Sequence, residues 1–569
     1  MEYHGSRAAP RAVLVPYAPM PPTPSPPRGE RATARAALLA VGTLVSRVLG
    51  MLRETLIAAT FTVAETDAFF LAWRIPNALR ALLAEGALST ALVPVFSSTL
   101  ERGTPTGDGA PVPRAPREHH DALRDAVARV RGLSLAVLLP LSALGVIFAR
   151  PLTALLAGDF RGDAARFELA VTMLRWLFPY IFFMGSAAVG IGVLQSYGRV
   201  AALAFAPALL NVAFLLAPFA FVPLAVRWGL SPVTGLAWGA LLGGALQLLA
   251  LVPALRRLNM LPRPVFDLKH PAVRRVAVLM GPGLFGVAIY QIDVVLSNRL
   301  LASLPNGSVS FFSYAQRIAD IPQGILILSI ANGFLPDLCR AVSAGDRADA
   351  SRMLGRMLRL AAFASIPVTV LLWSFGEALV PVIYGYGRFR ALGPQGVAEV
   401  VSSLRWQSVN VALLAMVRQL TATYGAAQDT RTPVLVSALD LGVFVLLALA
   451  LRGPMGHAGV AAAIAGSTLV QLVLLATWIS GRVPLPWGDV VPTVLKVLVA
   501  SAPVAVLARV AVHTLPLQGD GLAPRVLAVA CAAGLGTVYL LAAWMLQIDE
   551  VAPTLARLTR RLRRRRGTA

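Results

Sequence analysis

The sequence predicts an all-α polytopic membrane protein of fourteen transmembrane helices: two parallel six-helix lobes, and two helices left over at the C-terminus. Three observations carry this. First, 57% of the 569 residues are hydrophobic and 14% are charged, with mean hydropathy +0.69; soluble domains carry about 25% charged residues. Second, apolar runs such as 132–149, 201–226, 360–374 and 432–451 recur along the chain, each near the roughly 20 residues a helix needs to cross the hydrocarbon. No ten-residue alternation suggests a membrane barrel. Third, a segment repeats. In "DAFFLAWRIPNALRALLAEGALSTALVP" (67–94) and "VSFFSYAQRIADIPQGILILSIANGFLP" (309–336), Phe69, Phe70 and Pro94 match Phe311, Phe312 and Pro336 at one offset, 242 residues. These are the second and eighth helices. Six helices is an even shift, so the copies share orientation, as in transporter halves related by an axis along the membrane normal.

Taken in order, residues 1–32 are too proline-rich and polar to fold and read as a disordered cytoplasmic tail. They lack the apolar core of a signal peptide. The predicted helices are 33–60, 65–99, 122–149, 165–196, 201–226, 233–255, 273–303, 308–340, 350–375, 396–426, 432–452, 457–480, 490–513 and 525–547. The resulting organisation is an N-lobe at 33–256 with a cytoplasmic insert at 101–120, a basic linker at 257–272 and a C-lobe at 273–482. Helices thirteen and fourteen follow at 483–548, then a basic tail at 549–569. Arginine and lysine collect between helices six and seven, between eight and nine, and in "RLTRRLRRRR", whereas "TFTVAETD" and "SLPNGSVS" have none. Positive loops stay inside, so both termini are expected in the cytoplasm. The net charge of +23 is confined to these loops and does not indicate nucleic acid. Cys339 and Cys531 have no metal or disulfide spacing, and His119 and His120 sit in a polar loop without metal partners. No Gly-Lys-Ser/Thr run occurs, so no ATP hydrolysis, no metal, no cofactor and no covalent chemistry is expected.

Charges lie inside the apolar helices. "SRVLGMLRETLIAATF" (46–61) carries Arg47, Arg53 and Glu54; the second helix carries Asp67, Arg74, Arg80 and Glu85; the eighth carries Arg317 and Asp320. A charged side chain at the bilayer centre costs from about 2.5 to more than 10 kcal/mol. A single arginine could snorkel to the headgroups or simply neutralise a carboxylate. Several in matching places of two lobes point to an anion site at the lobe interface, with Arg suiting phosphate through its planar fork and the carboxylates holding the guanidiniums in place. Pro76 and Pro322 are expected hinges, each removing a backbone donor. Arg175, Arg299, Arg405 and Arg418 lie toward helix ends and read as snorkelling; Asp293 and Asp440 lie deeper.

The stretches "SRVLGMLRETLIA", "TDAFFLAWRIPNALRALLAEGALSTALVP", "FAPALLN" (205–211), "SVSFFSYAQRIADIPQGIL" and "DTRTPV" (429–434) together resemble the MurJ/MviN family of bacterial lipid II flippases, over roughly 33–548. The resemblance implies a central cationic cavity between the lobes and a groove at helices thirteen and fourteen for a polyprenyl tail. It also implies transport of undecaprenyl-diphosphate-linked peptidoglycan precursor from the inner to the outer leaflet of the inner membrane, by alternating access. Its diphosphate ligands fall on Arg47, Arg53, Arg80 and Arg317, and its cavity carboxylates on Asp67 and Glu85. Expected partners are lipid II, membrane lipids and the cell-wall synthesis machinery. Gln316 stands where the family commonly has Asp, and Glu54 where Asp is usual. Some members bind sodium through helices seven, eleven and twelve; the matching Phe444 and Ala448 cannot ligate a cation, and Asp293 is about a turn away, so no sodium site is expected. Alternatives are a flippase for another undecaprenyl-linked glycan, such as an O-antigen or capsule unit, and a non-transporting scaffold with a degenerate pore. A cationic drug would be repelled by such a cavity. The loop charges make a direct prediction: reporter fusions after residues 110 and 560 signal cytoplasm and one near 305 signals periplasm, and a periplasmic signal at 560 means the spans are miscounted.

Overall fold

The computed structural model of the chain describes residues 29–81, 88–101, 117–158, 160–199, 201–323, 328–519 and 521–551. Each of the fourteen predicted segments is mainly helical where it is described, with turns at Phe148, at Phe178 and Pro179, and at a few segment ends. The helices are α1 (Gly29–Thr60), α2 (Val63–Arg80), α3 (Leu88–Glu101), α4 (Arg117–Ile147), α5 (Ala149–Ala157), α6 (Ala164–Leu177), α7 (Tyr180–Ser196), α8 (Ala201–Arg227), α9 (Thr234–Arg257), α10 (Pro271–Ala302), α11 (Ser308–Pro322), α12 (Leu328–Ser343), α13 (Arg347–Tyr384), α14 (Gly387–Arg390), α15 (Gly393–Ala426), α16 (Arg431–Ile479), α17 (Trp487–Thr514) and α18 (Leu522–Met545). In hydrocarbon every backbone group needs an internal partner, which favours unbroken helices. Their starts carry side-chain caps: Thr62 and Glu65 form a reciprocal box on α2, Asp163 caps α6 through the Arg166 amide, and Asp346 caps α13 through the Asp349 amide. Nine helices among the described residues are long and apolar enough to cross a membrane by length and composition, with α6–α7 and the two halves of α16 each counted as one.

The differences from the sequence expectation have local causes. Residues 82–87 of the predicted helix 65–99 and 324–327 of the predicted helix 308–340 lie outside the described residues; the described parts are α2 with α3 and α11 with α12. Helix α4 starts at Arg117, inside the expected insert, because His120 bonds the Leu258 carbonyl at 2.9 Å and gives that polar turn something to pack on. Phe178 and Pro179 divide α6 from α7. Helix α16 holds two predicted helices that meet at Gly456, whose φ of 59° is a left-handed turn.

The two lobes are built alike. Helix α2 packs on α6 as α11 packs on α15, α3 on α7 as α12 on α15, α1 on α8 as α10 on α16, and α7 on α9 as α15 on α16. Helices α17 and α18 pack on each other and both on α13. The lobes meet where α1 reaches α11, α13 and α14, where α2 reaches α11, and where α10 reaches α2, α3, α4 and α5. A close cross-lobe approach lies at the end of α1. A Cβ on Gly387, at φ +48°, would lie 2.1 Å from the Ala59 carbonyl oxygen, so only glycine fits.

The linker that was expected as a loop is a strap fastened along α4. Val265 N–H donates to Ala128 O at 3.0 Å, Arg131 donates to the Pro262 carbonyl, and Arg129 meets Asp267 at 3.0 Å. Arg129 and the Lys269 amide hold the Asp267 carboxyl below the usual carboxylate range. His270 then caps α10, accepting from the Ala272 amide.

Close approach also sets the α8–α9 pair. A Cβ on Gly239 would lie 2.9 Å from the Ala217 Cβ and 3.2 Å from the Ala213 carbonyl oxygen. Small residues at such contacts let membrane helices meet backbone to backbone. Gly239→Val therefore forces α8 away from α9 and is expected to destabilise by about 1–3 kcal/mol, read as a lower thermal midpoint in detergent. An unchanged midpoint would mean that the pair yields without strain.

Candidate functional site

The charged residues of α1 are positioned by a mostly apolar neighbourhood that leaves them few polar partners. Arg53 donates to Asn211 Oδ1 on α8 at 3.0 Å and to Glu54 Oε1 at 2.5 Å, and its guanidinium lies over the Phe214 ring at 5.1 Å. Asn211 is itself fixed by donating to the Ser46 carbonyl at 2.9 Å. Glu54, 2% exposed, also accepts from Arg317 Nε on α11 at 3.1 Å. One carboxylate oxygen therefore joins a guanidinium from each lobe. Arg317 continues to Asp320 at 3.8 Å, and Arg47 donates to the Asp320 backbone carbonyl at 3.3 Å. Asp320 lies in the fields of Arg317, Arg74 and Arg47. Among the described residues, Arg47, Arg53, Arg74 and Arg317 gather around Glu54 and Asp320 where α1, α2 and α11 meet. Arg317 and Asp320 are about half exposed, so the cluster has an open side.

Asp67 stands elsewhere than the sequence suggested. Asp67 was expected to hold the cavity arginines. It is fully buried against α11, accepting from Gly307 N at 2.7 Å, Ser310 N at 2.7 Å and Ser310 Oγ at 2.6 Å, with Arg166 of α6 at 3.3 Å. The first turn of α11 has no side-chain cap of its own, so a carboxylate from the opposite lobe satisfies its orphan amides, as a helix start requires. Thr66 and Ser310 add a hydroxyl contact at 2.7 Å. Arg80 donates Nε to Asn77 Oδ1 on its own helix at 3.1 Å. Glu85 lies outside the described residues. Arg166 and Asn211 were missed, although "FAPALLN" ends on Asn211; one polar residue in an otherwise apolar helix was the available signal. Of the deeper acids, Asp440 on α16 has a buried oxygen without a partner. Phe444 and Ala448 are buried and apolar, and among the described residues no cluster of His, Cys, Asp or Glu could hold a metal. Cys339 and Cys531 are unbonded to each other.

Two repeated helical lobes and a terminal helix pair define a multi-pass membrane transporter. The chain belongs to the lipid II flippase MurJ family, whose family model, "Lipid II flippase MurJ", matches residues 57–519. It is 34% identical over 458 residues to a lipid II flippase MurJ of Burkholderia cenocepacia, covering 78% of this chain and 82% of that one. It is also 34% identical over 441 residues to a probable lipid II flippase MurJ of Bdellovibrio bacteriovorus, covering 77% and 80%. Among solved structures, a lipid II flippase MurJ in an inward closed conformation superposes with TM-score 0.70 at 20% identity, covering 90% of this chain and all of that one. An inward-facing multidrug MATE transporter superposes with TM-score 0.63 at 14% identity, covering 78% and 98%; these two likenesses are of fold. Arg47, Arg53 and Glu54 precede the stretch that the family model matches.

The shared Glu54 oxygen gives a double-mutant prediction. Glu54→Gln leaves the buried Arg53 guanidinium without its carboxylate, with an expected cost of about 3–5 kcal/mol, whereas Arg317→Gln leaves Glu54 paired with Arg53 and costs less. Together they cost less than the sum, because the Glu54–Arg317 contact can be lost only once. Thermal midpoints of the four proteins measure the coupling, and strict additivity would mean that the pair does not join the lobes in the membrane.

Proposed function

We propose that this protein moves undecaprenyl-diphosphate-linked peptidoglycan precursor, lipid II, from the inner to the outer leaflet of the bacterial inner membrane, with both termini cytoplasmic. The observation that carries the reading is the gathering of Arg47, Arg53 and Arg317 from both lobes around Asp320 and the buried Glu54, in a chain of the MurJ family. In this reading the diphosphate lies on Arg47, Arg53, Arg80 and Arg317. Glu54 and Asp320 keep the guanidiniums apart and oriented until the substrate arrives. A diphosphate competes with Glu54 for Arg53 and Arg317. Its arrival therefore weakens the one side-chain bridge that ties α1 to α11 in the cluster, and binding is coupled to lobe movement. The Asp67 contact with Gly307 and Ser310 closes the end of the bundle where α1 turns into α2, which the proposed orientation makes the periplasmic end. Opening outward then requires Asp67 to leave the α11 amides, and the cost of that separation keeps the empty transporter closed to the periplasm. Pro76 and Pro322, beside the ends of α2 and α11, suit the bending that such a movement demands. The polyprenyl chain would lie along α17 and α18. Movement needs no covalent step, and the proposal extends to contact with cell-wall synthesis enzymes only as suppliers and users of the lipid.

Complementation of a depletion strain, paired with membrane abundance, tests the site. Arg53→Ala, Arg80→Ala and Arg317→Ala are each expected to abolish growth support at normal abundance. Arg→Lys is expected to fail at one or more of them, since Lys keeps charge but loses the two-pronged donor geometry. Arg561→Ala with Arg564→Ala is the control and is expected to support growth. Growth with all three cavity Ala variants would remove the arginines from the substrate site. Depletion without build-up of lipid II on the inner leaflet would overturn the function itself.

A further inference from the structure

A second cationic site lies on the C-lobe, on helices that contribute nothing to the Glu54 cluster. Glu377 of α13 accepts from Arg405 Nη2 of α15 at 2.7 Å and from Arg509 Nη1 of α17 at 2.9 Å, both through the same oxygen. Among the described residues Glu377 is the only carboxylate in an ion pair with either arginine. Two guanidiniums on one carboxylate leave one positive charge uncompensated. The Nε of Arg405 is buried with no partner, an omission that costs on the order of 1–3 kcal/mol. Each arginine has five N–H donors and uses one on Glu377. Glu377 stands seven residues before the last residue of α13 and Arg509 five before that of α17, so these two lie roughly 8–10 Å inside their helix ends at 1.5 Å rise per residue.

The surroundings are those of a lipid, not of water. Val506, Leu507 and Val510 flank Arg509 on α17 and are all exposed, and Trp373 of α13, also exposed, meets Trp406 of α15 at 5.5 Å beside Arg405. The three charged side chains are between a quarter and under half exposed, so the crevice between α13, α15 and α17 is open to a ligand. A plain interhelical bridge would need one cation for one anion. A surplus cation kept at this depth in an apolar surface is compensated most simply by an anion that brings its own apolar body.

We propose that Arg405 and Arg509 bind the phosphate of a membrane lipid, with its chains along the exposed apolar face of α17. Planar guanidiniums converging from two helices suit phosphate oxygens, and Glu377 sets their spacing. The site is separate from the central cluster, and it stands or falls independently of the transport reading.

Native mass spectrometry of the full-length protein in detergent, titrated with phosphatidylglycerol, measures it. The double variant Arg405→Gln, Arg509→Gln is expected to weaken binding by roughly tenfold. Glu377→Gln is expected to strengthen it, because the lipid phosphate no longer competes with a carboxylate. A structural bridge predicts the opposite pattern: lower thermal midpoints for both variants and no change in lipid affinity, which would overturn the proposal. Glu377→Gln keeps the test decisive if the double variant does not fold. Undecaprenyl phosphate in a parallel titration distinguishes a prenyl from a glycerolipid source of the phosphate. Equal binding of diacylglycerol, which has no phosphate, or equally tight binding of inorganic phosphate, which has no chains, would also overturn it.

Discussion

Glu54 is a carboxylate buried at the seam between two halves of a membrane protein, and its ionised state is tolerable because guanidiniums reach it from both sides. An isolated ion there would carry several kcal/mol of desolvation. Arg53 answers it from the same helix and Arg317 from the other lobe, so parting the lobes at this level removes one of the two guanidiniums that hold it. Asn211 and Phe214 of α8 then fix Arg53, and the close α8–α9 packing through Gly239 fixes those two in turn. The polar centre is thus held by an apolar scaffold whose tolerance for added volume is small.

The bundle end at the α1–α2 turn obeys the same rule with different groups. There the orphan amides of α11 have no cap in their own chain segment, and Asp67 supplies it from across the interface, backed by Arg166. Both cross-lobe contacts use a buried acid from the N-lobe against donors from the C-lobe, but they differ in kind. Glu54 meets side-chain cations that a phosphate could take over. Asp67 meets backbone amides and a hydroxyl, in a site sealed from solvent. The first contact is open to competition by an anionic ligand and the second is not. In the proposed cycle, substrate would act directly on the first and reach the second only through movement of the helices.

The sequence made the all-helical class and the fourteen segments legible because length and hydropathy suffice where a bilayer forbids other structures. It also picked out Arg47, Arg53, Arg317, Glu54 and Asp320, since charges are conspicuous in apolar runs. What it could not give was pairing. Asp67 and Asp320 look alike in sequence, yet one is sealed against a helix start and the other half open; the difference lies in which helix end faces each. Arg166 escaped notice because it sits near the start of its helix, where an arginine ordinarily means contact with water. The family model begins after the first-helix arginines, so their role rests on geometry and on the motif "SRVLGMLRE" itself.

The strap along α4 bears on how the halves can swing. Residues 258–270 connect the lobes, and a free chain of that length would let them drift over a wide arc. Here Leu258, Pro262, Val265 and Asp267 are all fastened to α4, His270 faces Asp125 of α4 at 3.5 Å, and Pro271 begins α10 at once. The tether belongs mechanically to the N-lobe, and its slack is close to nil. The C-lobe therefore turns about a fulcrum at the first residues of α10. With one end of the lever pinned there, small displacements at the strap become large ones at the far end, where Asp67 meets α11.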